Sequence, residues 1–261
     1  MTAELKVLAK SIFPTGILGL CGPRQAQLLF QKFLCACFYK FLFGRQTPLA
    51  SRLDRRIASW EKRQGKGDIP MSKEAWESDY VGARWGYLDQ LEELNRYSVV
   101  AGYIQFLKRR GSILDVGCGE GILIQKLSSQ AFSKYVGVDI SQTAVDKAGD
   151  KGNSRIVFVQ GDAQTFVPDE SFDAIIFNEV LYYLDQPVKV VQRYESWLRP
   201  GGVFITSLYE QSTRAVAISN RLKRRYHSIA EVTMCTKSAA WIINIFAAAG
   251  SNARNAISTE R

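Results

Sequence analysis

The stretch Ile113-Leu114-Asp115-Val116-Gly117-Cys118-Gly119-Glu120-Gly121 decides how this chain folds. Three apolar residues surround one acid, Asp115, and glycine then occupies every second position, at 117, 119 and 121. Such a run is a strand ending in a tight turn, because glycine accepts positive φ and lets a ligand approach the backbone. Apolar residues resume at helical spacing from Ile122 to Leu127. The spacing predicts a helix over 122–130, whose first turn would leave N–H groups and positive potential beside the turn. Three further runs are built alike: Tyr135 to Asp139, Ile156 to Asp162 and Phe172 to Asn178 each read as a strand with an acid or amide at its carboxyl end. Helices expected at 141–151 and 186–198 make these βαβ units, which close by right-handed crossover into a parallel sheet. The fold class is therefore α/β, mostly parallel, with helices on both faces. Ligands of such sheets sit beyond the carboxyl ends of the strands, where Asp115, Asp139, Asp162 and Asn178 converge.

A Gly-x-Gly-x-Gly turn alone occurs in several nucleotide-binding folds. Asp139, which follows Gly121 by 18 residues, is placed to accept hydrogen bonds from ribose hydroxyls. A dinucleotide-dependent dehydrogenase would place its third glycine one position later, where this chain has Ile122. Taken in order, these motifs and the turn Leu198-Arg199-Pro200-Gly201-Gly202 resemble the class I S-adenosylmethionine-dependent methyltransferases. The resemblance covers roughly residues 113–209, and more loosely 76–249. It implies a Rossmann-like sheet and S-adenosylmethionine as the methyl donor, converted to S-adenosylhomocysteine. By the same resemblance Asp115 and the backbone of Gly117, Cys118, Gly119 and Gly121 would hold the methionine part. Asp139 would take the ribose, Ile140 would pack on the adenine, and Asp162 and Ala163 would read its edge. Asn178 completes the set, and Tyr80, Trp85, Tyr87 and Tyr97 would line a lid over it. No metal is implied, since a sulfonium activates its own methyl group.

The segment Asn178-Glu179-Val180-Leu181-Tyr182-Tyr183-Leu184 looks like its counterpart in nodulation-factor-type N-methyltransferases. Glu179 is a candidate to orient an amine or take a proton, and Tyr182 to hydrogen-bond the acceptor. The bland alternative is a buried helix start whose dipole Glu179 complements. His227, the one histidine, has a pKa suited to a general base near neutral pH, though a histidine beside an Arg/Lys run also suits plain surface. These residues imply transfer of a methyl group to an amine or hydroxyl of a small molecule. An RNA or protein methyltransferase, or a cofactor-binding scaffold without transfer, remains open on sequence alone. The chain after the fifth strand reads as a basic helix from 212 to 226, a strand over 227–235 and a last helix over 238–249, which leaves the closing strands of the sheet in question.

The net charge of +9 is unevenly placed. Residues 1–66 hold 12 Lys/Arg against three Asp/Glu, a surplus equal to that of the whole chain, so the remainder is neutral. This divides the chain into a basic amphipathic helical extension (1–66), a helical cap (67–110) and the Rossmann-like domain (111–261), with a linker at 61–70. A Phe- and Leu-rich helix over 26–43, followed by arginines, suits an anionic membrane surface. It equally suits packing on the core or on a second subunit. Neutral charge over 67–261 gives no nucleic-acid footprint. Five scattered cysteines, with no secretory signal, imply a reducing, cytoplasmic setting, peripheral at a membrane if the extension docks there.

Overall fold

The computed structural model describes residues 34, 35, 37–43, 47–63, 71–210, 212–237 and 239–248. The chain divides into two units, residues 1–57 and 58–261. Most of the helix expected over 26–43 lies outside the described residues. Its end is a π-helical turn, Phe38–Leu42, where the rings of Phe38, Tyr39 and Phe43 meet edge-on at 5.2–6.0 Å between centroids. Helix α1 (Pro48–Arg63) follows and runs through Glu61 to Arg63, which the sequence reading gave to the linker.

In the second unit, α2 (Lys73–Val81), a 3-10 turn (Gly86–Asp89) and α3 (Leu91–Leu107) precede the sheet. The strands are β1 (Gly111–Val116), β2 (Phe132–Asp139), β3 (Ile156–Gln160), β4 (Phe172–Asn178), β5 (Leu198–Tyr209), β6 (His227–Cys235) and β7 (Ala240–Ala247). The helices between them are α4 (Gln142–Gly149), α5 (Pro187–Tyr194) and α6 (Thr213–Arg225). The seven strands lie in the order β3-β2-β1-β4-β5-β7-β6, and β7 runs opposite to the other six. Strands buried on both faces need apolar residues at nearly every position. Accordingly Ile113, Ala174, Ile176, Val203, Ile205, Ile243 and Ile245 join Val100, Ala101 and Ile104 of α3 in one core. The alternate residues Leu114, Ile175, Phe177, Phe204 and Phe246 are fully buried as well.

Two expected helices are not there. After the glycine turn only a 3-10 turn, Leu123–Lys126, forms. Ser128 and Ser129 are poor helix formers, and the Ser128 N–H donates to Gln105 Oε1 of α3 at 3.2 Å instead of to a carbonyl within a helix. The second is residues 238–249, where β7 stands. Its flanking alanines suit a helix, but Trp241, Ile242, Ile243, Ile245 and Phe246 suit a pleated, fully buried slot between β5 and β6. The sheet is thereby complete within the described residues, and Gly250 to Arg261 lie outside them.

Arg214 of α6 is fully buried and donates from Nε to the Tyr182 carbonyl at 2.9 Å and from Nη2 to the Leu184 carbonyl at 2.7 Å. It holds the segment after β4 against the body of the domain. Arg214→Met keeps the bulk but leaves two buried carbonyls without their donor. Unfolding in urea is expected to show a loss of about 3 kcal/mol, and an unchanged midpoint would refute this role.

Candidate functional site

One cavity of about 510 Å³ runs along the carboxyl ends of the strands, lined from Asp162 after β3 through Asp139, Asp115 and Asn178 to Tyr209 of β5 and Trp241 of β7. Its volume is in the range typical of small-ligand sites, ~300–1,000 Å³. The four polar residues that the sequence places at strand ends are thus brought together.

The glycine turn is rigid and internally bonded. Gly117, Gly119 and Gly121 all have positive φ, at 77°, 54° and 70°. The N–H groups of Gly117 and Cys118 donate to the Val138 carbonyl at 2.7 and 3.0 Å, and that of Gly121 donates to the Cys118 carbonyl at 3.1 Å. The Gly119 N–H donates to Asp139 Oδ2 at 2.9 Å. The expected bare N–H groups are therefore engaged, and no α-helix starts at the turn. What Gly117 and Gly119 bring to the cavity is backbone whose N–H groups are taken, which favours a cation at their carbonyls over an anion. A Cβ on Gly119 would lie 2.9 Å from the Tyr80 hydroxyl, so glycine permits a close approach there. Gly121 does not line the cavity; a Cβ on it would press on the Phe158 ring at 3.0 Å. Its role is packing, although its neighbours Glu120 and Ile122 do line the cavity.

Asp115 is buried, and its Oδ2 accepts from the Tyr135 hydroxyl at 2.5 Å while its Oδ1 has no protein partner. Burial, reinforced by the neighbouring Asp139 charge and opposed by Tyr135 and Arg96, pushes its pKa up to about 7. Asp139 accepts from Ser141 N at 3.0 Å as well as from Gly119 N. Burial raises its pKa, and backbone N–H groups hold it back. Ile140, Asp162, Ala163 and Cys118 line the cavity beside them; Asp162 Oδ1 accepts from Gln164 N at 2.8 Å. Tyr87 stands at the cavity, 46% exposed.

Beyond the acids, α2 lies across the site. Glu77 accepts from Ser141 Oγ at 2.8 Å, from Thr143 N at 3.1 Å and from the Thr143 hydroxyl, at the first turn of α4. The Thr143 and Ser141 bonds hold its carboxyl below the usual range. Lys147 of α4 returns the contact, donating to the Tyr80 carbonyl at 3.0 Å and to Glu120 at 2.8 Å.

At the far side, Glu179 follows β4 with φ of 60°, a left-handed conformation that costs a residue other than glycine about 1–3 kcal/mol. Ser207 fixes it twice, since the Glu179 N–H donates to the Ser207 carbonyl at 3.1 Å and Ser207 Oγ donates to Glu179 Oε1 at 2.8 Å. Tyr182 donates to its Oε2 at 2.7 Å. Burial raises the Glu179 pKa, against the Arg96 charge and the two hydroxyls. Beneath lies Arg96, bound to Glu93 Oε2 at 2.7 and 3.2 Å and donating to Asn178 Oδ1 at 2.6 Å.

His227 is not part of the site, a correction to its candidacy as a base. It is exposed and pairs with Ala247, level with Val203 midway along β5, whereas the cavity lies at Tyr209, the carboxyl end of that strand. Six strand residues separate those levels, about 20 Å at ~3.3 Å per residue. Sequence reasoning missed Glu77, Glu93, Arg96, Ser207, Tyr209 and Trp241. Arg96 did carry a signal, a charge set in the apolar stripe Tyr97, Val100, Ala101 and Ile104 with an acid three residues earlier.

A protein-family model described as a methyltransferase domain matches residues 114–206. A malonyl-[acyl-carrier protein] O-methyltransferase of Halalkalibacterium halodurans is 32% identical over 109 residues, 39% of this chain and 40% of that protein. The chain therefore spans less than half the length of this curated relative. Among solved structures, the N-methyltransferase NodS from Bradyrhizobium japonicum, in complex with S-adenosyl-L-homocysteine, superposes with a TM-score of 0.56 and 22% identity. That match covers 62% of this chain and 90% of NodS. The Burkholderia thailandensis 1,6-didemethyltoxoflavin-N1-methyltransferase gives a TM-score of 0.56 at 16% identity, over 69% of this chain and 92% of that one. At these identities the two structures speak for the fold. Residues 114–206 thus match a methyltransferase domain, and the sheet with its four strand-end residues around one cavity has the fold of these solved methyltransferases.

Proposed function

We propose that the protein transfers a methyl group from S-adenosylmethionine to an amine or hydroxyl of a small molecule. One observation carries the reading: a single cavity holds buried acids at one end and a strained, hydrogen-bonded carboxylate, Glu179, at the other. The residues fit the donor. Asp139 and Asp162 suit its ribose and adenine, and Ile140 supplies an apolar flank. The unpartnered Asp115 Oδ1 and the carbonyls of Gly117 and Gly119 suit the cationic amino-acid part. When bound, S-adenosylmethionine supplies a methyl group made electrophilic by its sulfonium. The chain's own contribution is alignment and exclusion of water: Tyr80 and the Glu77 clip keep α2 over the donor end, and Ser207, Tyr182 and Arg214 fix the acceptor end.

A second reading concerns location. Residues 1–66 hold the whole charge surplus, and on α1 Leu49, Arg52 and Arg56 are all exposed at helical spacing. We propose that this segment docks on anionic lipid, which would suit an amphiphilic or lipid-linked acceptor. Among the described residues no helix is long and apolar enough to cross a membrane.

Three outcomes test these readings. Asp139→Asn should weaken S-adenosylhomocysteine binding about 10- to 100-fold by calorimetry; an unchanged Kd would remove the donor site. Burial pushes the Asp115 carboxyl up to about 7 in the folded chain, above the ordinary 3.8. The folded chain thus holds an extra proton between those values, and stability declines as pH rises through that window. Asp115→Asn should flatten this decline. It should also erase the loss of S-adenosylmethionine affinity on going from pH 8 to pH 6. An affinity that does not respond to pH would refute the role of Asp115. Finally, the full chain should sediment with phosphatidylserine vesicles and a form lacking residues 1–66 should not; equal pelleting of both would end the membrane reading.

A further inference from the structure

Asp162, Asp139 and Asp115 take the donor, on the reading above, and lie at the ends of β3, β2 and β1. The rest of the cavity lies at the ends of β4 and β5, the start of β7 and the cap helices. Its lining there is aromatic. Trp76 meets Tyr183 edge-on at 4.7 Å between centroids and lies tilted against Trp85 at 5.4 Å, and Tyr209 lies tilted against Trp241 at 6.3 Å. All five rings line the cavity together with Glu179. The five come from four separate parts of the chain, α2 and its following loop, the segment after β4, β5 and β7, so local sequence does not explain their meeting.

The charge beside these rings is negative. Arg96 is ion-paired with Glu93 and bonded to Asn178, so its charge is largely matched before Glu179 is considered. The groups bonded to the Glu179 carboxylate are hydroxyls, those of Tyr182 and Ser207. Each carboxylate oxygen can accept more than one bond, so capacity remains for an N–H donor from outside. Aromatic faces attract cations through their quadrupole, and a buried carboxylate attracts them through its charge.

We propose that this half of the cavity selects a cationic amine as the methyl acceptor, held between the ring faces and the Glu179 carboxylate. The proposal rests on the methyltransferase reading and narrows it from amine or hydroxyl to amine. A neutral alcohol would leave the carboxylate without its counter-charge. In the reaction the ammonium gives one proton to Glu179, and the freed nitrogen lone pair forms the N–C bond to the methyl carbon. The C–S bond breaks and its electron pair stays on sulfur. The methylated nitrogen carries the positive charge away, and the proton on Glu179 returns to water. The Glu179 carboxylate thus acts in two successive steps: its charge holds the ammonium, and its oxygen then takes the proton that must leave before the nitrogen can attack.

The test uses the full chain saturated with S-adenosylhomocysteine and two probes of one shape, choline and its uncharged isostere 3,3-dimethylbutan-1-ol, by calorimetry. Choline should bind at least about tenfold more tightly than the alcohol. Glu179→Gln, which keeps an acceptor for Tyr182 and Ser207, should remove most of that difference, and Trp241→Ala should weaken choline. Equal or tighter binding of the alcohol overturns the proposal. So does absence of choline binding to protein that binds S-adenosylhomocysteine, or a ratio unchanged in Glu179→Gln. If S-adenosylhomocysteine itself fails to bind, the methyltransferase reading falls first, and this inference with it.

Discussion

The Asp139 carboxylate is the point on which the rest of the site is hung. It accepts one backbone N–H from the glycine turn after β1 and another from Ser141, where α4 begins. Burying an acid is costly unless charge-assisted hydrogen bonds compensate. Here the compensation comes from main chain, so the acid and two loops fix one another. Ser141 then caps α4 by accepting from Ala144 N, and the same Ser141 donates to Glu77 of α2. One carboxylate thereby sets the glycine turn, the start of a helix and, one step further, the helix that covers the cavity.

The acceptor end is organised separately and by different means. Ser207 on β5 grips both the backbone and the side chain of Glu179. Arg214 on α6 grips the carbonyls two and four residues past Val180. The strained residue is therefore held from a strand on one side and a helix on the other. Strain of this kind persists only where surroundings over-determine it, and the two grips do that. The two ends of the cavity meet at Arg96 and Asn178, at the contact between the Trp76 and Tyr183 rings, and where Val180 lies against Gly117.

How much of this could be read from sequence follows from how local the information is. The acids at the ends of β1, β2 and β3 were legible because each strand is a short apolar run closed by a polar residue, a pattern complete within ten residues. The glycine turn was legible as a turn, yet its consequence was misjudged: the N–H groups expected to face a ligand are used by Val138, Cys118 and Asp139, which lie elsewhere in sequence or fold back from it. Strand β7 was read as a helix because its slot is made by β5 and β6, and nothing within residues 238–249 declares those neighbours. His227 attracted a role by its chemistry alone, while its place at the amino end of β6 follows from register, which only pairing reveals. Arg96 and Glu93 were overlooked as a site pair because helix α3 looked like a packing element with two stray charges.

The ring of Phe158 rests where two glycines leave room. A Cβ at Gly137 would come within 2.6 Å of that ring and 2.9 Å of Cys118 Sγ, and one at Gly121 within 3.0 Å of it. Gly137 sits mid-strand, where glycine is otherwise a poor choice, and Phe158 is its direct register partner on β3. The three positions are thus one fitted object spread over 38 residues of chain. Substitutions that drift in singly at any of them meet a collision or leave a hole, whereas a smaller residue at 158 accompanied by a side chain at 137 conserves volume. Among relatives of this chain these positions should vary in concert, with bulk on β3 exchanged for bulk on β2.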